Sequence, residues 1–216
     1  MKGLAHYCII VISNLFGLLV FWVWATLWYV LFSSFIKYKD TMTLELVLGG
    51  ARSGKSHFTE QRAIQSEQQG LEVVYIATAT AQDDEMTQRI AHHQQQRPSH
   101  WQTIETPIQL AKTLQTYAHP KKCLIVECLT LWLTNCLLAE ADCWARERQL
   151  LLDQVQALPG QNIFVGNEVG QGIVPMSELS RRFVDENGRL QQSLAQLADN
   201  VFWVVAGLPQ ALKGRL

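Results

Sequence analysis

From residue 42 onward the chain alternates short apolar runs with longer stretches whose apolar positions recur every three or four residues. Runs of four to eight apolar residues bounded by glycine, proline or polar clusters read as buried strands, and the longer periodic stretches read as helices. Strands are predicted over 44–48 (LELVL), 71–78 (LEVVYIAT), 103–105, 123–127 (CLIVE), 162–167 (NIFVGN) and 201–205 (VFWVV). Helices are predicted over 55–69, 83–96, 107–117, 129–138, 142–157 and 177–197. The 83–96 stretch opens with acidic residues and stops before Pro98, both usual at helix ends. The 177–197 helix presents Leu179, Phe183, Leu190, Leu194 and Leu197 on one face. Trp101, Trp132, Trp144 and Trp203 read as core. Strict alternation of strand and helix predicts an α/β fold, a mostly parallel sheet with helices on both faces.

The first forty-one residues follow a different pattern. No Asp, Glu, Lys or Arg occurs from Gly3 to Ile36, and half of the chain's aromatics lie in this leader. A membrane-crossing helix needs about 20 apolar residues, and Lys37 and Lys39 stand where an interfacial anchor would. A signal peptide fits less well, because the apolar run is too long and no small-residue cleavage site follows. Two readings stay open. Residues 1–41 form a hydrophobic N-terminal helix tethering a cytoplasmic catalytic domain to the inner membrane, or the start lies upstream of the true one at Met42. Either way the chemistry is expected in a domain over 42–216.

Charge narrows the function classes. The chain has 18 Lys+Arg and 19 Asp+Glu, net -1. Three of the lysines and one aspartate belong to the leader, so the remainder is mildly acidic. That excludes a nucleic-acid binder driven by a basic field. The cysteines, Cys8, Cys123, Cys128, Cys136 and Cys143, are odd in number and form no CxxC pair. They read as buried thiols in a reducing compartment rather than as a zinc site.

Residues 49–56 read GGARSGKS. This matches G-x-x-x-x-G-K-[ST] between a predicted strand and a predicted helix, the context in which that motif binds phosphates. Backbone N–H groups of Gly49, Gly50, Ala51, Arg52, Ser53 and Gly54 would point at phosphate oxygens, helped by the helix N-terminus. Gly50 and Gly54 are expected to supply the special backbone angles and close approach. Lys55 would reach the β- and γ-phosphates and Ser56 would offer its hydroxyl to Mg²⁺. His57 is counted with this nucleotide-binding run, although its side chain reads as a surface helix position. Arg52 either touches phosphate or is a solvated loop charge. Glu127, ending the CLIVE strand, would hold Mg²⁺ or its water; a contact to base, ribose or substrate, or a plain structural role, stays open.

Residues 83–101 read DDEMTQRIAHHQQQRPSHW. Neighbouring helical residues point about 100° apart, so His92 and His93 cannot share a direction. One of them could attack phosphorus and form a nucleotidyl-enzyme, with Arg97 gripping phosphate. A solvated amphipathic helix with incidental histidines is the alternative. Residues 166–175 (GNEVGQGIVP) put three glycines around Asn167 and Glu168 at a strand's end. That suits a ligand-lining loop at the carboxyl edge of an open sheet, or a glycine-rich turn.

Taken in order, GGARSGKS, YIAT with DDEM, RIAHHQQQRPSHW, ECLTLWLTN and NEVGQGIVP followed by RRFVDENGRLQQSLA closely resemble one family. It is the bifunctional adenosylcobinamide kinase / adenosylcobinamide-phosphate guanylyltransferase family of cobalamin biosynthesis, and the resemblance spans nearly all of residues 44–206. It implies a P-loop NTPase-like fold. It implies phosphorylation of adenosylcobinamide by ATP or GTP, then transfer of GMP from GTP through a GMP-histidine intermediate to give adenosyl-GDP-cobinamide. The guanylylated histidine lies in the His92-His93 pair, and the role is carried to His93. Nucleotide contacts are implied at Ala77, Thr78, Ala79, Glu105, Glu127 and the stretch Gln94, Gln95, Gln96 and Arg97. The three glutamines replace more charged residues common in the family, which leaves their backbones as the expected contacts. Arg181, Arg182 and Arg189 would touch corrinoid or phosphate, or form a solvated helix face. A homo-oligomer, plausibly a trimer sharing its sites between subunits, is also implied. A single-activity P-loop kinase or NTPase, and a membrane-tethered nucleotide-binding module, are the alternatives.

Overall fold

A computed structural model describes residues 42–80 and 84–216, without the side chains of Arg89, His92 and Gln96. Seven strands form one sheet: β1 (Met42–Gly49), β2 (Glu72–Ala77), β3 (Gln102–Glu105), β4 (Lys122–Glu127), β5 (Gly160–Asn167), β6 (Asn200–Val205) and β7 (Leu208–Lys213). Their spatial order is β3-β2-β4-β5-β1-β6-β7. All neighbours are parallel except β6 and β7, which pair antiparallel. The helices are α1 (Lys55–Gln68), α2 (Asp84–Gln96), α3 (Leu110–Tyr117), α4 (Leu129–Leu138), α5 (Cys143–Gln154) and α6 (Glu178–Leu197).

Side chains alternate across a strand, so each central strand feeds two cores. Leu44, Leu46 and Leu48 of β1 join Val74 and Ile76 of β2 and Leu124 and Val126 of β4 on one face, under α3, α4, α5 and α6. Val47, Val73, Tyr75, Ile125 and Val165 point the other way, beneath Phe58 and Ala63 of α1. A sheet buried on both faces explains why these strands read as nearly continuous apolar runs. The charge inside β1 has a partner: Glu45 accepts from Arg62 of α1 through two hydrogen bonds of 2.5 and 2.6 Å. That pair sets α1 over the strand that feeds it. Trp101, Trp132 and Trp144 are buried and Trp203 packs against the core, as expected. The four described cysteines are buried free thiols, and burial pushes Cys123 up to about 12.

Three expectations change. The last strand, β7, is absent from the sequence reading because its LPQALK run lies largely exposed at the sheet edge. The turn before it places Ala206 and Gly207 at φ 52° and 79°, the two positive angles of a tight hairpin, with alanine where asparagine or glycine is usual. The helix reading over 107–117 starts only at Leu110. On α6 Leu190 and Leu194 are buried, Phe183 and Leu197 only pack at the margin, and Leu179 is exposed, so the apolar face is shorter than the periodicity suggested. Among the described residues no helix is long and apolar enough to cross a membrane. The hydrophobic helix or membrane anchor expected over 1–41 lies outside the described residues.

Candidate active site

The carboxyl ends of the parallel strands all face one edge, and the phosphate loop sits there between β1 and α1. Two glycines are required by the fold. A Cβ on Gly49 would meet Ser53 Oγ at 2.5 Å and Val204 O at 2.6 Å. Gly54 has φ 96°, and a Cβ there would lie 3.0 Å from Gly207 Cα. Gly50, expected to supply that freedom, has open space around it instead. The loop is buttressed from both sides. Gly207 N, in the β6–β7 turn, donates to Ser53 O at 2.8 Å, and Glu168 N, just past β5, donates to Gly49 O at 3.1 Å. Arg52 sits exposed at the crest with φ 57°. Lys55 is buried, and its Nζ reaches back to Gly50 O at 3.4 Å. A bound phosphate would offer that ammonium a stronger, charged acceptor.

Register builds the acidic side of the site. Ala77 stands opposite Glu127 on β4 and opposite Glu105 on β3, so these three expected contacts form one row along the carboxyl edge. Tyr75 lies two residues back on the same face as Glu127, a diagonal neighbour within reach of a phenol. Its hydroxyl donates to Glu127 Oε2 at 3.0 Å, while Ser56 Oγ donates to Glu127 Oε1. One turn along α1 from Ser56, Glu60 is buried on the same side. Burial, and then the Glu127 charge, push its carboxyl up to about 7, with Arg97 pulling the other way. Burial and the same carboxylate push the Tyr75 phenol well above its ordinary value, so it remains a donor.

The histidine segment meets this cluster at its end. His93 lies in the last turn of α2, half-buried, and its carbonyl accepts from Arg97 Nε at 3.0 Å. The Arg97 guanidinium lies 3.7 Å from the centroid of the Tyr75 ring. Trp101, four residues on, is buried in the α1-side core and so pins the segment to the sheet. A continuous line of contacts therefore runs from the His93 backbone through Arg97, Tyr75 and Glu127 to Ser56 of the phosphate loop. Gln94 and Gln95 are exposed, and the side chains of His92 and Gln96 are not among those described.

Other expected residues have different partners. Thr78 is fully buried and its hydroxyl is committed to Cys128, accepting from Cys128 N and donating to Cys128 O, each at 2.8 Å. It therefore shapes the edge, and Asn135 Nδ2 holds its carbonyl at 2.8 Å. Ala79 is half-buried just beyond it, and Glu105 is exposed. His57 is exposed and pairs with Gln61 at 3.0 Å. His100, without an obvious partner in the sequence, pairs with Glu67 at 2.6 Å. Arg181 binds the carbonyls of Pro175 and Met176 in its own loop, and Arg189 pairs with Glu186. Glu60 and Tyr75 are the members that sequence reasoning missed. The four-residue step from Ser56 and the lone phenol in an aliphatic strand were the available signals.

The donor set suits a hard divalent cation. Mg²⁺ is characteristically held by one or two protein oxygens plus substrate phosphates. Ser56 and Glu127 converge as such a pair, and the described residues contain no cluster of three or more metal-binding His, Cys, Asp or Glu side chains.

Comparison with known proteins places the chain in a family. The family model described as cobinamide kinase / cobinamide phosphate guanyltransferase matches residues 45–212. The bifunctional adenosylcobalamin biosynthesis protein CobP of Pseudomonas aeruginosa is 53% identical over 171 residues, covering 79% of this chain and 97% of that protein. The bifunctional adenosylcobalamin biosynthesis protein CobU of Escherichia coli is 40% identical over 182 residues, covering 78% and 98%. Among solved structures, the flagellar accessory protein FlaH of Methanocaldococcus jannaschii is similar over 80% of this chain and 79% of that one, with 14% identity and a TM-score of 0.45. With its phosphate loop, paired acid and histidine segment all inside the matched span, the chain belongs to the cobinamide kinase / cobinamide phosphate guanyltransferase family.

Proposed function

We propose that this chain performs both reactions of its family on one site. In the first, the hydroxyl of adenosylcobinamide attacks the γ-phosphorus of ATP or GTP. The O–P bond to the new phosphate forms, the nucleoside diphosphate leaves, and the hydroxyl proton is released. The loop N–H groups and Lys55 stabilise the charge that spreads over the transferred phosphoryl oxygens. Ser56 and Glu127 would hold Mg²⁺, which supplies charge neutralisation between the phosphates when bound. In the second, an imidazole nitrogen of His93 attacks the α-phosphorus of GTP and pyrophosphate leaves. An oxygen of adenosylcobinamide phosphate then attacks that phosphorus, the P–N bond breaks, and adenosyl-GDP-cobinamide forms. A covalent intermediate divides one difficult displacement into two easier ones.

The contact line from the histidine turn to the phosphate loop supports a shared site, because it ties the groups for both reactions to one carboxylate. The loop at 166–175 is read as the corrinoid-facing edge. It is joined to the phosphate loop at Gly49 and exposes Ile173 and Val174 beside Met176, apolar surface that suits a large macrocycle. Residues 42–216 are taken to suffice for catalysis, in a homo-oligomer; a trimer is what the family resemblance implies. Glu105, Ala77 and Ala79 are assigned to the nucleotide by their place on the carboxyl edge.

Incubation with α-³²P-GTP tests this reading. Acid-labile, base-stable label is expected on the protein, lost in His93→Ala and kept in His92→Ala. Label persisting when both histidines are alanine would exclude the histidine intermediate.

A further inference from the structure

We propose that Tyr75 is a positioning residue that keeps the two halves of this site in register. Its hydroxyl orients the Glu127 carboxylate for phosphoryl transfer. Its ring carries Arg97 and, through Arg97, the turn that bears His93. The inference rests on the site reading given above and adds a residue to it.

Packing alone does not call for a tyrosine here. Val73, Val74 and Ile76, its neighbours on β2, are buried aliphatics, and Tyr75 itself is 4% exposed. A buried hydroxyl is costly unless it is hydrogen-bonded, and its acceptor here is Glu127. A carboxylate has two oxygens that can accept. In this site Ser56 occupies Oε1 and Tyr75 occupies Oε2, so rotation of the carboxylate is restrained from both sides. With the phenolic hydrogen bond removed, Glu127 is free to turn away from the loop serine.

The ring has a separate task. At 3.7 Å the guanidinium lies face-on against it, a cation–π contact in a partly desolvated place. Arg97 Nε is already committed to His93 O, so ring and carbonyl together fix the plane of the guanidinium. Its charge is felt by Glu60 as well as by Tyr75. Ser56 faces Glu127 from α1. Without the ring, Arg97 could pair with Glu127 directly and draw the carboxylate away from the phosphate loop, releasing the histidine turn at the same time.

The two roles separate by substitution in the full chain. Tyr75→Phe removes the hydroxyl and keeps the ring; Tyr75→Leu removes both. Two rates are read: phosphorylation of adenosylcobinamide by ATP, and single-turnover labelling of the protein by α-³²P-GTP. In Tyr75→Phe, loss of one buried hydrogen bond is expected to lower the phosphorylation kcat about tenfold, with KM for ATP little changed. The Mg²⁺ concentration giving half-maximal rate should rise, and labelling should fall much less than phosphorylation. In Tyr75→Leu both rates should fall, labelling by about tenfold or more. Arg97→Lys, with Tyr75 intact, should slow labelling more than phosphorylation, and it decides the second role if Tyr75→Leu does not fold by circular dichroism. Equal losses in both rates for Tyr75→Phe, or wild-type behaviour in both, would overturn the first role. Labelling unaffected in Tyr75→Leu or in Arg97→Lys would overturn the second. If the wild-type chain takes no label at all, the site reading fails and the second role with it, whereas the Mg²⁺ dependence of Tyr75→Phe still decides the first.

Discussion

In α1, which leaves the phosphate loop, Lys55, Thr59, Glu60, Ala63 and Ser66 are buried, and a two-armed ion pair from Arg62 to Glu45 holds the helix to β1. In α2, which carries the histidines, none of the described side chains is buried. Its far end is secured by Arg97 on Tyr75 and by Trp101 in the core. In the proposed function the two helices serve one site, with opposite degrees of anchoring. Phosphoryl transfer needs donors fixed before the charge develops, because preorganised groups stabilise it without reorganising. Under that proposal, a histidine that first takes up a nucleotidyl group and then hands it to a second substrate works from a segment with fewer buried contacts. Local stability follows the density of such contacts.

The strongest way to break the comparison is to remove charge from the rigid side. Lys55→Ala should lower the phosphorylation kcat by about 10²–10³-fold, the usual loss of a preorganised donor, measured with saturating ATP. A loss of tenfold or less would mean that the loop backbone supplies most of the stabilisation. Glu60 comes next. Its carboxyl is raised from 4.5 to about 7, so the folded state holds the proton more tightly than the unfolded chain. Stability must therefore fall as pH rises through that window. Glu60→Gln removes the titration, so its stability relative to wild type should improve between pH 5 and pH 8, by at most about 3 kcal/mol. Urea denaturation at the two pH values checks the sign, and a pH-independent difference would show that Glu60 is not held neutral. Gly54→Ala tests the loop backbone itself. The left-handed angle and the close Gly207 Cα should cost about 1–3 kcal/mol, seen as a lower midpoint in the same titrations.

That contrast also governs what the sequence discloses. The phosphate loop is legible because its geometry demands particular residues at fixed spacing, and Gly49, Gly54, Lys55 and Ser56 all occupy the places that pattern assigns. The parallel strands are legible because burial on both faces leaves apolar runs such as CLIVE and VFWVV. Tyr75 and Glu60 were not, since each joins the Glu127 cluster through register and helix phase rather than through a motif. Tyr75 meets Glu127 only because Ala77 pairs with Glu127 two residues on. Of the two glycines expected to supply special angles or close approach, Gly54 is held to it by a neighbour the motif does not show: the β6–β7 turn packed against it, over 150 residues away in the chain. That turn was itself unread, because Ala206-Gly207 lacks the usual asparagine signal. Thr78 is implied as a nucleotide contact by the resemblance alone, and the commitment of its hydroxyl to Cys128 appears only once β2 and β4 are aligned.

The smallest effect is expected where the edge of the site is exposed. Ile173 is 98% exposed and Met176 95%, in a loop whose first residue past β5 is bonded to the phosphate loop. If the macrocycle of adenosylcobinamide covers them, replacing either by serine removes apolar contact worth about 1 kcal/mol. KM for adenosylcobinamide should rise a few-fold, whereas kcat and KM for ATP should not move, because Lys55 and the loop N–H groups are untouched. The double variant Ile173→Ser, Met176→Ser should roughly multiply the two effects if both side chains face the same ligand and stay independent. A change confined to the sedimentation behaviour of the protein, with unaltered KM, would instead assign this apolar edge to contact between copies of the chain.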